Sequence, residues 1–130
     1  MDVSPGQWGL YSWFEEHGVE LVHPNDRDSL RELIPHCKVF QVVSNDGAYL
    51  TLRQGDKRYR VSPDLFTLIA APLRSFGQSV RVRKGGEVIR ATVRDIMWHY
   101  KRAEPMYFLL ANGKKLKKQY WGADFLDESE

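Results

Sequence analysis

The chain has 130 residues, 42% apolar and 28% charged, with a formal net charge of +2 and one cysteine, Cys37. This describes one ordinary domain or two very small ones, and it excludes general disorder, an internal disulfide and a thiolate-rich zinc site. No apolar run approaches the roughly 20 residues of a membrane span. The start MDVSPGQWGL lacks a basic, then apolar, secretory pattern, so a cytoplasmic protein is expected.

Charge is unevenly spread. Residues 1–66 hold seven Lys/Arg against ten Asp/Glu, whereas 67–130 hold twelve against seven. Between Gln78 and Lys118 eleven basic residues meet only Glu87, Asp95 and Glu104. Such an asymmetry either steers an acidic partner or marks a solvated strand face.

In chain order, Leu10, Trp13 and Phe14 fall at helical spacing in residues 8–18, and Gly18 suits a C-terminal cap, so a short helix is expected. Residues 19–22 have strand character and end at His23-Pro24, with His23 expected to hold the loop. Asn25 or Asp26 can cap a helix carrying Leu30, Leu33 and Ile34 on one face, limited by Pro35. Residues 39–43 and 49–53 read as strands joined through Asp46-Gly47, and a turn at 54–56 leads into the alternating strand 58–61. Ser62-Pro63-Asp64 then opens a helical turn bearing Leu65 and Phe66. Residues 1–66 thus form short helices plus a three-stranded meander.

Residues 67–78 contain Pro72 and read as a connector, packed because its start is apolar. Residues 79–83 alternate, Lys84-Gly85-Gly86-Glu87 turns, and 88–98 run as a long strand. Counting by two, Val93, Asp95, Met97 and His99 fall on one face and Thr92, Arg94, Ile96 and Trp98 on the other. Apolar groups occupy both faces, which requires a bend or double cover. A turn at 101–105, a strand at 106–111, the Asn112-Gly113 turn and a strand at 114–120 follow. Residues 127–130 are acidic and expected to fray.

The two meanders echo one another. Tyr49, Gly55, Lys57, Tyr59 and Asp64-Leu65 parallel Tyr107, Gly113, Lys115, Tyr120 and Asp124-Phe125, with six residues from Tyr to Gly in each but four and seven from Gly to the next Tyr. An internal duplication and the generic pattern of any meander ending in a helical turn both explain this.

Residues 80–82, Ile96-Met97-Trp98-His99, residues 107–110, Gly113-Lys114-Lys115, Tyr120-Trp121 and Asp124-Phe125 together resemble the small SH3-like barrels of uncharacterised bacterial proteins. The resemblance covers about residues 78–126. It implies a mainly β fold with short helices (α+β), an SH3-like barrel at 79–126, and, through the echo, a tandem pair of barrel-like meanders. It implies an interaction module, whose ligand the fold does not choose.

Catalysis finds little support. Lys84-Gly85-Gly86 lacks the spacing of a phosphate loop. His17 and His23 are six apart and His36 adjoins Cys37, so no helical metal pair exists. A Cys37 nucleophile would need His23 or His99 brought to it from a distance, and Cys37 reads as a small buried hydrophobe. No enzyme, cofactor or metal is expected. His99 either contacts a ligand at the barrel lip or closes the strand end against Glu104, the latter being favoured.

Two binding readings remain. The first is a protein-interaction module, for instance of immunity or regulatory type, using Trp98, His99, Tyr100 and Trp121. The second is nucleic-acid binding, with Arg81, Arg83, Lys84, Arg90, Lys114, Lys115, Lys117 and Lys118 on phosphates and Tyr100, Tyr107 or Tyr120 stacking on bases.

Overall fold

The computed structural model describes residues 3–126; the acidic tail expected to fray at 127–130 lies outside them. The chain divides after Ala71 into two units, each built on an antiparallel sheet.

The N-terminal unit begins with β1 (Trp8–Leu10), where a helix is expected from the spacing of Leu10, Trp13 and Phe14. All three β1 residues are buried, and the strand lies between β2 (Val39–Asn45) and β5 (Thr67–Ile69). A central strand needs both edges paired, and Gly9 permits it: a Cβ there would lie 2.2 Å from the Phe66 ring and 2.5 Å from the Thr67 carbonyl oxygen. The helical spacing reflects burial of Leu10 and Trp13, since Phe14 stays 42% exposed. Helical structure is confined to a 3-10 turn at Glu15–His17, which Gly18 ends by donating its N–H to the Glu15 carbonyl.

The strand expected at 19–22 is a second 3-10 turn, Val19–Leu21, after which Val22 alone bridges to Val61. The helix α1 (Arg27–Leu33) follows and buries Leu30. Asp26 stands at its N-cap position without capping it; its carboxylate accepts from the Arg60 backbone N–H and Nε, both at 2.9 Å, tying the start of α1 to the later strand that carries Arg60. His23 holds the preceding loop, its Nδ1 accepting from the Asn25 N–H at 3.1 Å.

The hairpin of β2 with β3 (Leu50–Gln54) turns at Asp46-Gly47 as read from the sequence. The Asp46 carboxylate accepts the N–H groups of Ala48 and Tyr49, an Asx-type turn. β4 (Lys57–Val61) and a 3-10 turn at Pro63–Leu65 complete the meander, Ser62 Oγ accepting from the Asp64 N–H. The sheet order is β4-β3-β2-β1-β5. Thus the start of the expected connector is a strand: residues 67–69 find an open edge at β1. Tyr11, Trp13, Phe40, Leu50, Leu52, Tyr59 and Val61 form the centre of the core.

The C-terminal unit is a meander of β6 (Ser79–Lys84), β7 (Glu87–His99), β8 (Glu104–Ala111) and β9 (Lys114–Tyr120), in the order β6-β7-β8-β9. It is not the closed barrel expected. β6 and β9 are its two edges, and among the described residues one backbone bond, Leu126 N–H to the Arg81 carbonyl at 2.9 Å, joins the segment after β9 to β6. Val80, Val82, Ala91, Val93, Ile96, Tyr107, Leu109 and Tyr120 are buried.

The two-faced pattern of β7 has a local cause. Its register with β8 shifts between Val93 and Asp95, a bulge that adds one residue to β7. The buried set therefore passes from Ala91 and Val93 to Ile96, changing parity across Arg94.

The two units share a strand order, four neighbouring antiparallel strands, a 3-10 turn (the second at Gly122–Asp124) and a segment returning to the first strand, although three 3-10 turns and α1 stand between β1 and β2 with no counterpart between β6 and β7. The residue echo is shifted against it. Val61, rather than Tyr59, occupies the place of Tyr120, as the last strand residue before the turn. Val61 pairs with Leu50 and Tyr120 with Tyr107.

A cationic groove and an aromatic corner

The C-terminal unit separates the candidate binding residues into two places. Both hairpin turns at one end of the sheet are tight: Gly85 and Gly86 have φ of +58° and +86°, and Asn112 and Gly113 +53° and +76°, the left-handed pair of a type I′ turn. The β7–β8 ladder stops at Thr92↔Leu110, while β6–β7 continues to Lys84↔Glu87 and β8–β9 to Ala111↔Lys114. The two hairpin tips therefore part.

Between them lies a groove of about 830 Å³. Arg83, Lys84 and Arg90 line one wall and Lys114, Lys115, Lys117 and Lys118 the other, with Ile89, Leu116 and Tyr120 among its apolar lining and Glu87 as the acidic residue. β9 reaches this arrangement through irregularity. Its register shifts between Phe108 and Leu110 of β8, so that Leu116 and Tyr120 are buried while Lys117, Lys118 and Gln119 are all exposed. Lysines on an edge strand also hinder sheet-to-sheet pairing. That role accounts for the lysines of β9 and for Arg83 and Lys84 on the other edge, β6, but not for Arg90 on the inner strand β7.

Arg81 lies outside the groove lining, directly opposite Arg90 in the β6–β7 ladder. Arg90 Nη1 donates to Ser79 Oγ at 3.1 Å. Like charges directly opposite repel, so the two guanidinium groups add no mutual stabilisation to this part of the ladder.

Trp98, His99, Tyr100 and Trp121 are elsewhere. Nine residues of strand separate Arg90 from His99, about 30 Å, so no small ligand touches both places. At this corner the Arg102 guanidinium covers the Trp121 ring at 3.6 Å, and the His99 ring meets Trp121 edge-on at 5.4 Å. His99 Nδ1 accepts from the Arg102 N–H at 3.0 Å, and Arg102 rather than His99 bonds Glu104, Nε to Oε2 at 3.2 Å. The His99–Glu104 contact expected at the strand end is thus replaced by two contacts of Arg102, one to each residue. Trp98 lies opposite Pro105 in the ladder, and Tyr100 is 53% exposed in the turn.

Of the three tyrosines offered for base stacking, Tyr100 is exposed but stands at the far end of the sheet, and the other two are used internally. Tyr107 and Tyr120 are buried and paired across β8 and β9. Burial raises the Tyr107 phenol above its ordinary value despite the Leu73 N–H donated to its oxygen at 2.9 Å, and Phe125 packs edge-on against its ring. Burial, then the Asp124 charge, raises Tyr120.

Gly85, Glu87, Ile89, Ala111, Asn112 and Leu116 also line the groove without being candidates from the sequence, where nothing distinguishes them from other turn and strand residues. Among the described residues no group of three His, Cys, Asp or Glu side chains could hold a metal ion, and no helix is long and apolar enough to cross a membrane. No curated protein and no solved structure matches the chain. The description "family of unknown function (DUF6960)" matches residues 1–126, and the chain belongs to that family.

Proposed function

We propose that the protein is a non-enzymatic binding module that takes an acidic protein partner in the groove of its C-terminal unit. One observation carries this reading: seven cationic side chains on two facing walls, with Glu87 their acidic neighbour, stand over an apolar lining. Charge of one sign along a cleft steers an acidic surface, and apolar residues beneath it supply the contact that charge alone lacks. We read the architecture as an open relative of the SH3-like barrel, supported by the four-strand meander, the 3-10 turn and the returning segment of each unit. An immunity-type or regulatory role in a bacterial cytoplasm suits such a module.

Nucleic acid is the second reading, favoured by the same cations. It is ranked lower because Tyr107 and Tyr120 are buried, leaving the groove without an open aromatic platform for bases. The test is a titration of labelled poly-glutamate, a Glu/Val peptide and a single-stranded oligonucleotide over a salt series. The mixed peptide is expected to bind most tightly, and replacing Lys114, Lys115, Lys117 and Lys118 by Glu to weaken it by about tenfold or more. An oligonucleotide that outcompetes the peptide, with affinity falling steeply in salt, overturns the assignment.

A further inference from the structure

We infer that the partner enters the groove as an extended segment of alternating acidic and apolar residues, adding to the edge of β7 as an extra strand. This rests on the reading of the groove as a protein site and specifies how the protein is held.

The backbone supplies the first argument. In a two-residue type I′ hairpin the residues flanking the turn form a hydrogen-bonded pair, here Lys84↔Glu87. Antiparallel ladders alternate hydrogen-bonded and non-hydrogen-bonded pairs, so Val82↔Ile89 is bonded and Arg83↔Val88 is not. The N–H and C=O of Val88 consequently point away from β6, toward the side on which β8 lies further along the strand. β8 stops short of them: its ladder with β7 ends at Thr92↔Leu110. Among the described residues, no backbone bond outside the ladders reaches Val88, whose side chain is 42% exposed.

The side chains supply the second. A residue opposite Ile89 in an added strand falls on the face of Val82 and Ile89, beside the apolar lining that includes Leu116. Its neighbours point to the other face, so an apolar residue at every second position fits. Acidic residues between them suit a cleft rimmed by cations on both walls. Strand addition of this kind draws affinity from the main chain and selectivity from alternate side chains.

The test uses the intact chain and a labelled peptide alternating Glu and Val. Two N-methylated versions each remove the N–H donors of one alternate set of residues, and a scrambled version keeps composition without alternation. One N-methylated set is expected to weaken binding by about tenfold or more, the other to leave it unchanged, and the scramble to bind poorly. Val88→Pro removes the outward donor while sparing the β6–β7 ladder, and is expected to lose the peptide; Val88→Thr retains it. Equal binding by the parent and both N-methylated peptides overturns strand addition and leaves the protein-binding reading standing. Failure of every peptide overturns the inference, and an oligonucleotide that binds in their place shows that the protein-binding reading has failed with it.

Discussion

Tyr11→Phe isolates one bond that holds the N-terminal unit closed. Tyr11 is wholly buried, and its hydroxyl donates to the Ser62 carbonyl at 2.7 Å with the Leu21 carbonyl at 3.1 Å. It thereby joins the loop before α1 to the end of β4. Leu21 keeps a second donor, the Ser62 N–H at 2.7 Å, so the substitution chiefly deprives Ser62. Losing one bond and leaving a part-buried carbonyl without its donor costs about 1–3 kcal/mol. For a unit of this size, 2 kcal/mol lowers the melting midpoint by roughly 10 °C. The assay is thermal unfolding followed by tryptophan fluorescence over a pH series. Burial, then the Asp64 charge, raises the Tyr11 phenol far above its ordinary value of 10.0. The folded state thus keeps a proton that the unfolded chain gives up, and this contribution to stability is lost as pH rises above 10. Phenylalanine lacks it, so the gap between wild type and variant should narrow in alkali. A midpoint within about 1 °C of wild type, or a gap constant to about pH 11, would refute the reasoning.

Asp26 gives the opposite pH signature. Burial pushes its carboxyl up, but the hydrogen bonds and charge of Arg60, with His23 adding, more than offset this and hold it below the ordinary 3.8. Its stabilisation is present above that value and disappears as pH falls through the lowered pKa. Asp26→Asn should cost about 1–2 kcal/mol at neutral pH, moderated by the exposure of Arg60, and flatten the acid limb of urea midpoints; an unchanged limb would contradict it. Gly9→Ala should destabilise by roughly 1–3 kcal/mol or more, since the Phe66 ring can shift but the Thr67 backbone oxygen is held in the sheet; calorimetry measures this. Arg102→Ala should uncover the Trp121 ring and red-shift its emission, resolved against Trp121→Phe, at a stability cost of about 1 kcal/mol or less.

The C-terminal strands and the helix after Asp26 were legible because their information is local. Gly-containing turns fix where a hairpin reverses, and alternation or helical spacing marks the face that is buried. Residues 8–10 misled because three buried residues in a row carry no period, and their partners, β2 and β5, lie about 30 and 60 residues away. The two bulges were invisible for a related reason. An inserted residue shows only against the opposite strand, so the inward residues of β7 and the run of exposed positions at 117–119 of β9 could not be counted from one strand alone.

The candidate site divides along the same line. The sequence by itself determined that the C-terminal half is basic and rich in aromatics, since charge and ring count do not depend on folding. It also marked the hairpin turns, whose residues select their own backbone conformation. Only the tertiary structure decided that Arg83, Lys84 and Arg90 face the lysines of β9 across one groove, while His99 and Trp121 meet far from it with Arg102. It likewise turned Tyr107 and Tyr120 inward. The physical reason is that a strand specifies its two faces, whereas the place where neighbouring ladders end, and so where a groove opens, depends on register between strands that the pattern within each does not contain.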